Sequence, residues 1–163
     1  MLVVKNKYFE KRGSIYTIYE DKDLAIDFVQ DKVSKSYQGV IRGFHGDAST
    51  YKLISCLHGK IKLVTYDIYS DEKQSYILDG DDKNFTSILV PPNVLNAHQC
   101  LSSFCIFHYK WSEYYTTPEK QWSVRYDDSD INADWNNEFC DIISERDMNS
   151  GSLKELKECL KKT

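Results

Sequence analysis

Short apolar runs separated by turn residues dominate this chain, and they predict strands. Turn signals recur at intervals of about 8–12 residues, a spacing typical of all-β domains. The predicted strands cover residues 14–19, 24–30, 37–45, 51–57, 60–69, 86–90 and 103–111. This pattern predicts a mainly β sandwich or barrel, with the whole chain, 1–163, forming a single domain.

Three turn signals organise these strands. His58-Gly59 separates two of them and predicts a tight hairpin turn. Residues 79–82, with the sequence DGDD, predict a second turn, and Pro91-Pro92 should end a strand at the rim of the sheet.

The tail, 151–163, carries the one clear helix signal. Ser152 and Glu155 match a capping box, and Leu153, Leu156 and Leu160 share one face of the predicted helix. We expect a short amphipathic helix that packs on the β body.

Composition narrows the class of protein. The chain has 12 tyrosines, 7 phenylalanines and only 3 prolines, which favours sheet. A net charge of −4 argues against nucleic acid as the main partner, although a local basic pocket for phosphates remains compatible with it. Five cysteines without a CxxC pair, and an apolar start interrupted at Lys5, predict reduced thiols in a cytoplasmic protein. No apolar run approaches the ~20 residues of a membrane helix.

The segment 39–45, GVIRGFH, holds the first candidate chemistry. Together with Tyr109 and Asp147, Arg42 and His45 suggest a base, an acid and an oxyanion clamp, which suits proton abstraction next to a carbonyl. For these seven residues alone, a buried structural histidine is the alternative. Residues three apart face opposite sides of a regular strand, so a shared pocket for Arg42 and His45 predicts a bulge or irregular backbone at Gly43.

Six motifs, in order, resemble those of the dTDP-4-dehydrorhamnose 3,5-epimerases. Arg12-Gly13 resembles the family's RG, and Gln30-Asp31 with Ser34 and 39–45 resembles its QD-x-x-S followed by GVLRGLH. Lys52-Leu53-Ile54 with Gly59 and Asp67 is similar to the family's KLV…G…VD, and Tyr109-Lys110 with Tyr114-Tyr115 to its YK-x-x-x-YY. Residues 126–128 with Trp135 are similar to WDD…I-x-W, and residues 143–147 to LSEKD. The match covers about residues 10 to 150. The resemblance implies a cupin-type jelly-roll sandwich, a homodimer whose N-terminal strands (within 1–20) are exchanged, and no metal or other cofactor.

The spacing of the histidines argues independently against a metal site. His45 is followed by Gly46-Asp47 rather than by a second histidine, and Asn96 stands where metal-binding cupins have a later one. Neither His98 nor His108 has ligand spacing, so both are interpreted as structural or pocket-lining, with His108 alternating away from Tyr109.

The resemblance also implies roles for individual residues. His45 is the expected base, Asp147 its orienting carboxylate, Tyr109 the acid on the opposite face of the sugar, and Lys52, with Arg42, the partner of the enolate oxygen. Arg12 and Arg146 are expected to contact diphosphate or sugar, and Tyr115 to stack on the nucleobase.

Departures from the family concern the substrate-binding positions. Thr17 and Lys32 replace a family glutamate and asparagine that help to hold the nucleotide or sugar, and Asn96 replaces a pocket histidine. With Gln30, Lys32 and Asn96 among the binding residues, we expect an epimerase that inverts C3, C5 or both of a 4-keto hexose or heptose on dTDP or GDP, for a surface polysaccharide. A sugar-nucleotide 3,4-ketoisomerase and a non-catalytic sugar-binding cupin are the alternatives.

Overall fold

The chain forms a β-sandwich, described in a computed structural model over residues 2–117, 120–139 and 141–162. The strands are β1 (Leu2–Asn6), β2 (Tyr8–Glu10), β3 (Gly13–Ile15), β4 (Gln30–Tyr37), β5 (Ile41–Gly46), β6 (Lys52–His58), β7 (Lys60–Asp67), β8 (Lys73–Asp79), β9 (Asn84–Val90), β10 (Val94–Cys100), β11 (Phe104–Trp111) and β12 (Trp122–Ser123). The helices are a single 3-10 turn (Asp21–Asp23), α1 (Glu145–Met148) and α2 (Leu153–Leu160).

Two five-stranded antiparallel sheets make the sandwich. Sheet I has the strand order β1-β9-β6-β11-β4, and sheet II has the order β12-β5-β10-β7-β8. A separate pair, β2 and β3, lies outside both sheets. The mainly β sandwich with a short C-terminal helix, expected from the sequence, is confirmed.

Two hydrophobic clusters hold these layers together. One joins the facing sides of the two sheets, with Ile54, Leu63 and Phe107 among its members. The other lies under the C-terminal segment, where Phe44 and Trp135 pack together. Sheet II is therefore covered on both faces, and sheet I on one.

Helix α2 forms as its sequence predicts. The Ser152–Glu155 capping box is present, Leu153 is buried, and Leu156 and Leu160 pack against the cluster below. Burying a leucine contributes roughly 1.5–3 kcal/mol. The backbone N–H of Leu153 also donates to the buried carboxylate of Asp128, which ties the helix to the preceding loop.

The predicted hairpin at His58-Gly59 is wrong. The turn is tight, but β6 belongs to sheet I and β7 to sheet II, so the chain crosses between sheets there. Gly59 allows this corner with φ of +75°, and a Cβ on it would lie 2.2 Å from the carbonyl oxygen of Phe104 at the start of β11.

Several strand boundaries also differ from the prediction. Residues 24–29 are not a strand, because β11 ends at Trp111 opposite Gln30, and beyond the hydrogen bond from the Val29 N–H to the Trp111 carbonyl no strand pairs with them. The predicted strand 37–45 is interrupted at Gly39, where φ is +81° and the chain turns from β4 into β5. Only Ser14 and Ile15 of 14–19 lie in a strand.

Candidate active site

A cavity of about 260 Å³ lies between the two sheets. Strands β4, β6 and β11 of sheet I form one wall, and β5 and β10 of sheet II form the other. Nine residues predicted for the site line this cavity: Lys32, Arg42, His45, Lys52, Asn96, Tyr109, Tyr115, Arg146 and Asp147.

An irregular segment of β5 brings Arg42 and His45 to the same cavity. On β10, Asn96 pairs with His45 and His98 pairs with Arg42, so a step of two residues on β10 faces a step of three on β5. Gly43 has φ of +114°, a conformation that glycine tolerates and other residues rarely adopt. The predicted irregularity at Gly43 is confirmed.

His45 and Asp147, far apart in sequence, form a hydrogen-bonded pair. His45 Nε2 lies 3.1 Å from Asp147 Oδ1, and the Gly43 N–H donates to Oδ2 at 3.2 Å. Ser144 caps α1 by accepting from the Asp147 N–H, which fixes the aspartate at the start of the helix. Burial acts to raise the pKa of Asp147, but the hydrogen bond with His45, the positive charge that His45 carries when protonated, and the contacts with Gly43 and Ser144 outweigh it. The pKa is therefore lowered, and the carboxylate stays ionised.

Ser123, which sequence patterns did not indicate, contacts the other nitrogen of the imidazole. Its Oγ lies 3.1 Å from His45 Nδ1 and accepts from Arg146 Nη2 at 2.9 Å. Because Nε2–H faces a carboxylate, this network assigns the lone pair to Nδ1 and makes the serine hydroxyl its donor. The donors thus run in one direction, from Arg146 through Ser123 and His45 to Asp147.

Tyr109 faces the cavity from the opposite sheet. Its ring packs between those of Phe107 and Trp111, with centroids 5.0 and 5.7 Å away. Burial raises the pKa of the Tyr109 phenol, against an opposing effect of Arg42. The phenol therefore keeps its proton at neutral pH and can act as an acid.

Lys52 is a buried cation in the same cavity. Its side chain is 3% exposed, and Nζ lies 3.4 Å from Asn96 Oδ1 and 4.9 Å from the ring centroid of Trp111. Burial lowers the pKa of Lys52 to about 8. At neutral pH it therefore presents a poorly solvated positive charge, suited to a developing oxyanion.

Lys32 and Tyr115 lie together at one end of the cavity. Lys32 Nζ is 3.4 Å from the ring centroid of Tyr115, and Trp111 meets that ring edge-on at 5.4 Å. Gln30, predicted to bind substrate, is not among the residues that line the cavity. Its carboxamide oxygen instead accepts from the Tyr115 N–H at 3.0 Å, because it lies at the start of β4 beside the loop that follows β11.

Arg12 also lies outside the cavity of its own chain. It occupies the turn between β2 and β3, its side chain is 85% exposed, and it pairs with Glu10. The β2–β3 pair joins neither sheet, so no described contact within one chain brings Arg12 to the site. His108 points away from the cavity and contacts Asp31 at 2.8 Å, as the alternation with Tyr109 predicted.

The cavity contains further residues to which the sequence analysis gave no role. These are Ser34, His98, Phe107, Trp111, Gln121 and Ser144. Ser34 belongs to the QD-x-x-S motif, Ser144 to the motif at 143–147, and His98 was noted as possible pocket lining, whereas no sequence signal indicated the others. Within the described ranges, no cluster of three or more His, Cys, Asp or Glu side chains is placed to hold a metal ion. None of the helices described has the length and apolar character to cross a membrane.

Known proteins share both the sequence and the fold. A family model described as dTDP-4-dehydrorhamnose 3,5-epimerase matches residues 1–155. The dTDP-4-dehydrorhamnose 3,5-epimerase of Methanothermobacter thermautotrophicus is 31% identical over 95% of this chain and 90% of its own length. The spore coat polysaccharide biosynthesis protein SpsL of Bacillus subtilis is 29% identical over 82% of this chain and 92% of its own length.

A solved structure agrees with these relatives. The Legionella pneumophila dTDP-6-deoxy-D-glucose-3,5-epimerase RmlC, in complex with dTDP-4-keto-L-rhamnose, superposes with a TM-score of 0.86 at 28% identity, over 98% of this chain and 91% of its own. With a family model spanning nearly the whole sequence and a solved family member of the same fold, this chain belongs to the dTDP-4-dehydrorhamnose 3,5-epimerase family, an isomerase class of enzymes acting on nucleotide sugars.

Proposed function

We propose that this protein inverts C3, C5 or both of a nucleotide-diphosphate 4-keto sugar by removing and returning protons. One observation carries this proposal: His45 with its buried carboxylate faces the cavity from sheet II, and the phenol of Tyr109 faces it from sheet I. Inversion of a carbon requires a base on one face and an acid on the other, and this cavity offers both.

The base in this scheme is His45 Nδ1. Ser123 donates to this nitrogen, so the proposed step requires its hydroxyl to rotate away before the substrate C–H reaches Nδ1. Nδ1 then takes the proton from the carbon next to the C4 carbonyl. Asp147, held as an anion, stabilises the resulting imidazolium through Nε2–H. Tyr109 delivers a proton to the opposite face of the same carbon.

Lys52 stabilises the intermediate. Removal of the proton places negative charge on the C4 oxygen, and a buried ammonium beside that oxygen acts more strongly than one in water. Arg42 is the second cation available. Its Nε donates to Ser36 Oγ at 3.0 Å, which orients the guanidinium along the cavity wall.

The nucleotide end of the substrate extends beyond the cavity. At about 260 Å³ the space is smaller than the ~300–1,000 Å³ of sites that enclose larger ligands. Lys32, Arg146 and the aromatic ring of Tyr115 line the cavity and suit diphosphate and base. We place dTDP first among the nucleotides because the named relatives act on dTDP sugars, with GDP as the alternative.

A homodimer with exchanged N-terminal strands accounts for the β2–β3 pair. In a single chain Tyr8, Phe9 and Ile15 are 71%, 61% and 72% exposed, so the two-stranded β2–β3 arm (residues 8–15) has an unusually large exposed apolar surface. Packing this arm on a second copy buries these residues and carries Arg12 towards the partner's site. Light scattering should then give twice the 19.0 kDa of one chain.

One relative supports a role for the protein in the cell, and its buried thiols support a cellular location. SpsL is named for polysaccharide synthesis, which supports a role in making a surface polysaccharide such as a capsule or lipopolysaccharide. Cys56, Cys100 and Cys105 are buried and free, which supports a reducing, cytoplasmic location.

Deuterium exchange tests the proposed reaction. The protein is incubated in heavy water with dTDP- and GDP-linked 4-keto hexoses and a 4-keto heptose, and proton NMR follows C3 and C5. We expect deuterium at one or both carbons and an inverted product. Movement of the keto group from C4 to C3 identifies a ketoisomerase instead, and binding without exchange across the panel identifies a sugar-binding cupin.

A further inference from the structure

Unpartnered polar atoms collect on the wall of the cavity. Among the residues described, four buried side-chain atoms have no hydrogen-bond partner: Ser34 Oγ, His98 Nε2, His108 Nδ1 and Trp111 Nε1. Three of the four side chains line the cavity, and only His108 lies outside it. Roughly 90% or more of buried polar groups in proteins are hydrogen-bonded. Unmatched atoms gathered at one cavity therefore point to a ligand that supplies the partners.

Ser34, on the sheet I wall, and His98, on the sheet II wall, both adjoin Phe107. Ser34 pairs with Phe107 in the β4–β11 register, and the ring of His98 stacks on that of Phe107, with centroids 4.0 Å apart and planes within 10°. His98 is only 2% exposed, so the stack holds its ring in one orientation. Trp111 is four residues further along β11, about 13 Å away along the strand, and belongs to a different part of the cavity.

Both groups are uncharged. Burial, with smaller effects of Arg42 and His45, lowers the pKa of His98 to about 3, so its ring is neutral throughout the working range. A serine hydroxyl can both donate and accept hydrogen bonds, and the Nε2 of a neutral imidazole donates or accepts one according to its tautomer. A phosphate or carboxylate calls for arginine or lysine, whereas this pair matches a hydroxyl, which also donates and accepts.

We propose that Ser34 and His98 bind one hydroxyl of the sugar and make the enzyme selective for substrates that carry it. The subsite rests on the proposed function, since it serves the same bound sugar. Tyr109, the proposed acid, is two residues from Phe107 on the same face of β11, about 7 Å along the strand. The hydroxyl is therefore carried by, or next to, a carbon at which the proton is exchanged.

Paired substrates and variants test this subsite. Rates of deuterium uptake are measured for a 4-keto sugar and for its analogues lacking the hydroxyl at C2, C3 or C6, with wild type, Ser34→Ala and His98→Phe. Phenylalanine keeps the stack on Phe107 and removes the nitrogen. We expect wild type to prefer one hydroxylated sugar over its deoxy analogue by about 10- to 100-fold in kcat/KM. Both variants should lose most of that preference.

His58→Phe is the matched control, because His58 also packs against a phenylalanine ring, that of Phe104, with centroids 4.6 Å apart and planes tilted by 40°, but lies outside the cavity. It should keep the full preference. His98→Gln, which retains an uncharged donor, should recover part of it and also covers the case in which His98→Phe does not fold.

The outcomes separate this inference from the proposed function. If wild type takes up no deuterium from any substrate, the proposed function fails. If wild type takes up deuterium but shows no preference for a hydroxylated sugar over its deoxy analogue, the hydroxyl subsite is wrong. It is also wrong if the Ser34→Ala variant and a folded His98 variant, His98→Phe or His98→Gln, leave that preference unchanged. In that case the unmatched atoms serve ordered water.

Discussion

Replacing Lys52 by methionine should stabilise the fold and remove most of the activity. The side chain is 3% exposed and points into the cavity, with desolvation as the main influence on its charge. Methionine has a similar length and no charge. The substitution therefore removes the cost of holding an ammonium between the sheets.

The size of the effect follows from the pKa. Burial lowers the pKa of Lys52 from 10.5 to about 8, helped by the charge of Lys32 and opposed by Asp47. At ~1.36 kcal/mol per pKa unit, the charged form costs about 3 kcal/mol at pH 7. The variant loses the 3.4 Å hydrogen bond to Asn96, which contributes roughly 1 kcal/mol. The net gain is about 2 kcal/mol, or ~4–8 °C in Tm for a domain of this size.

The pH dependence has a definite sign. Between pH of about 8 and 10.5 the unfolded chain binds more protons at this lysine than the folded one, so the stability of wild type rises with pH in that window. The advantage of the methionine variant should therefore shrink from pH 7 towards pH 10. Activity should fall by about 10²- to 10³-fold, as for loss of one oxyanion partner.

Urea denaturation at pH 7 and pH 9.5 and deuterium uptake at pH 7 provide the measurements. Lys83→Met, at an exposed position, is the control and should change the free energy of unfolding by less than about 0.5 kcal/mol. A Lys52→Met protein that is less stable than wild type at pH 7, or whose difference from wild type does not change with pH, would refute the reasoning about the buried charge.

Four further outcomes follow from the site. His45→Asn should abolish deuterium uptake while the circular dichroism spectrum stays unchanged, and Asp147→Asn should reduce the rate of uptake by a smaller factor. Near-normal turnover by the His45→Asn variant would exclude His45 as the base. Tyr109→Phe should still exchange protons but fail to invert, so NMR should detect deuterated substrate without epimer, and full inversion would place the acid elsewhere. Gly43→Ala should lower the free energy of unfolding, measured by urea denaturation, by about 3 kcal/mol. The residue has φ of +114°, and the new Cβ would lie 2.6 Å from a carbonyl oxygen of β10. An unchanged urea midpoint would contradict this packing. In wild type, kcat/KM should decline above pH of about 8 as Lys52 loses its charge, whereas a profile flat to pH 9.5 would remove Lys52 from the rate-determining step.

Local signals in the sequence determined much of the fold. The capping box at Ser152 and Glu155 produced helix α2, because its hydrogen bonds join residues three apart and need no distant partner. The double proline after Val90 ended β9 for a similar reason. The irregular backbone at Gly43 was predictable because two polar side chains three residues apart were required to face one cavity.

Strands β4 and β10 were missed for a physical reason connected with function. Positions 32, 34 and 36 of β4 face inward, but they are lysine and serines, and β10 turns Asn96 and His98 to the same cavity. An apolar inward face is the signal that identifies a strand. Where the interior is a polar binding cavity, that signal is reversed, and the strand is recognised only from its pairing with neighbours.

The motifs in the sequence identified the family and most of the cavity residues, but their mutual arrangement required the tertiary structure. The chain could not show that β6 and β7 belong to different sheets, that Gln30 accepts a hydrogen bond from the Tyr115 N–H, or that Ser123 contacts His45. Each of these depends on which strands become neighbours, and that choice is made by burial and pairing over the whole domain rather than by the residues on either side.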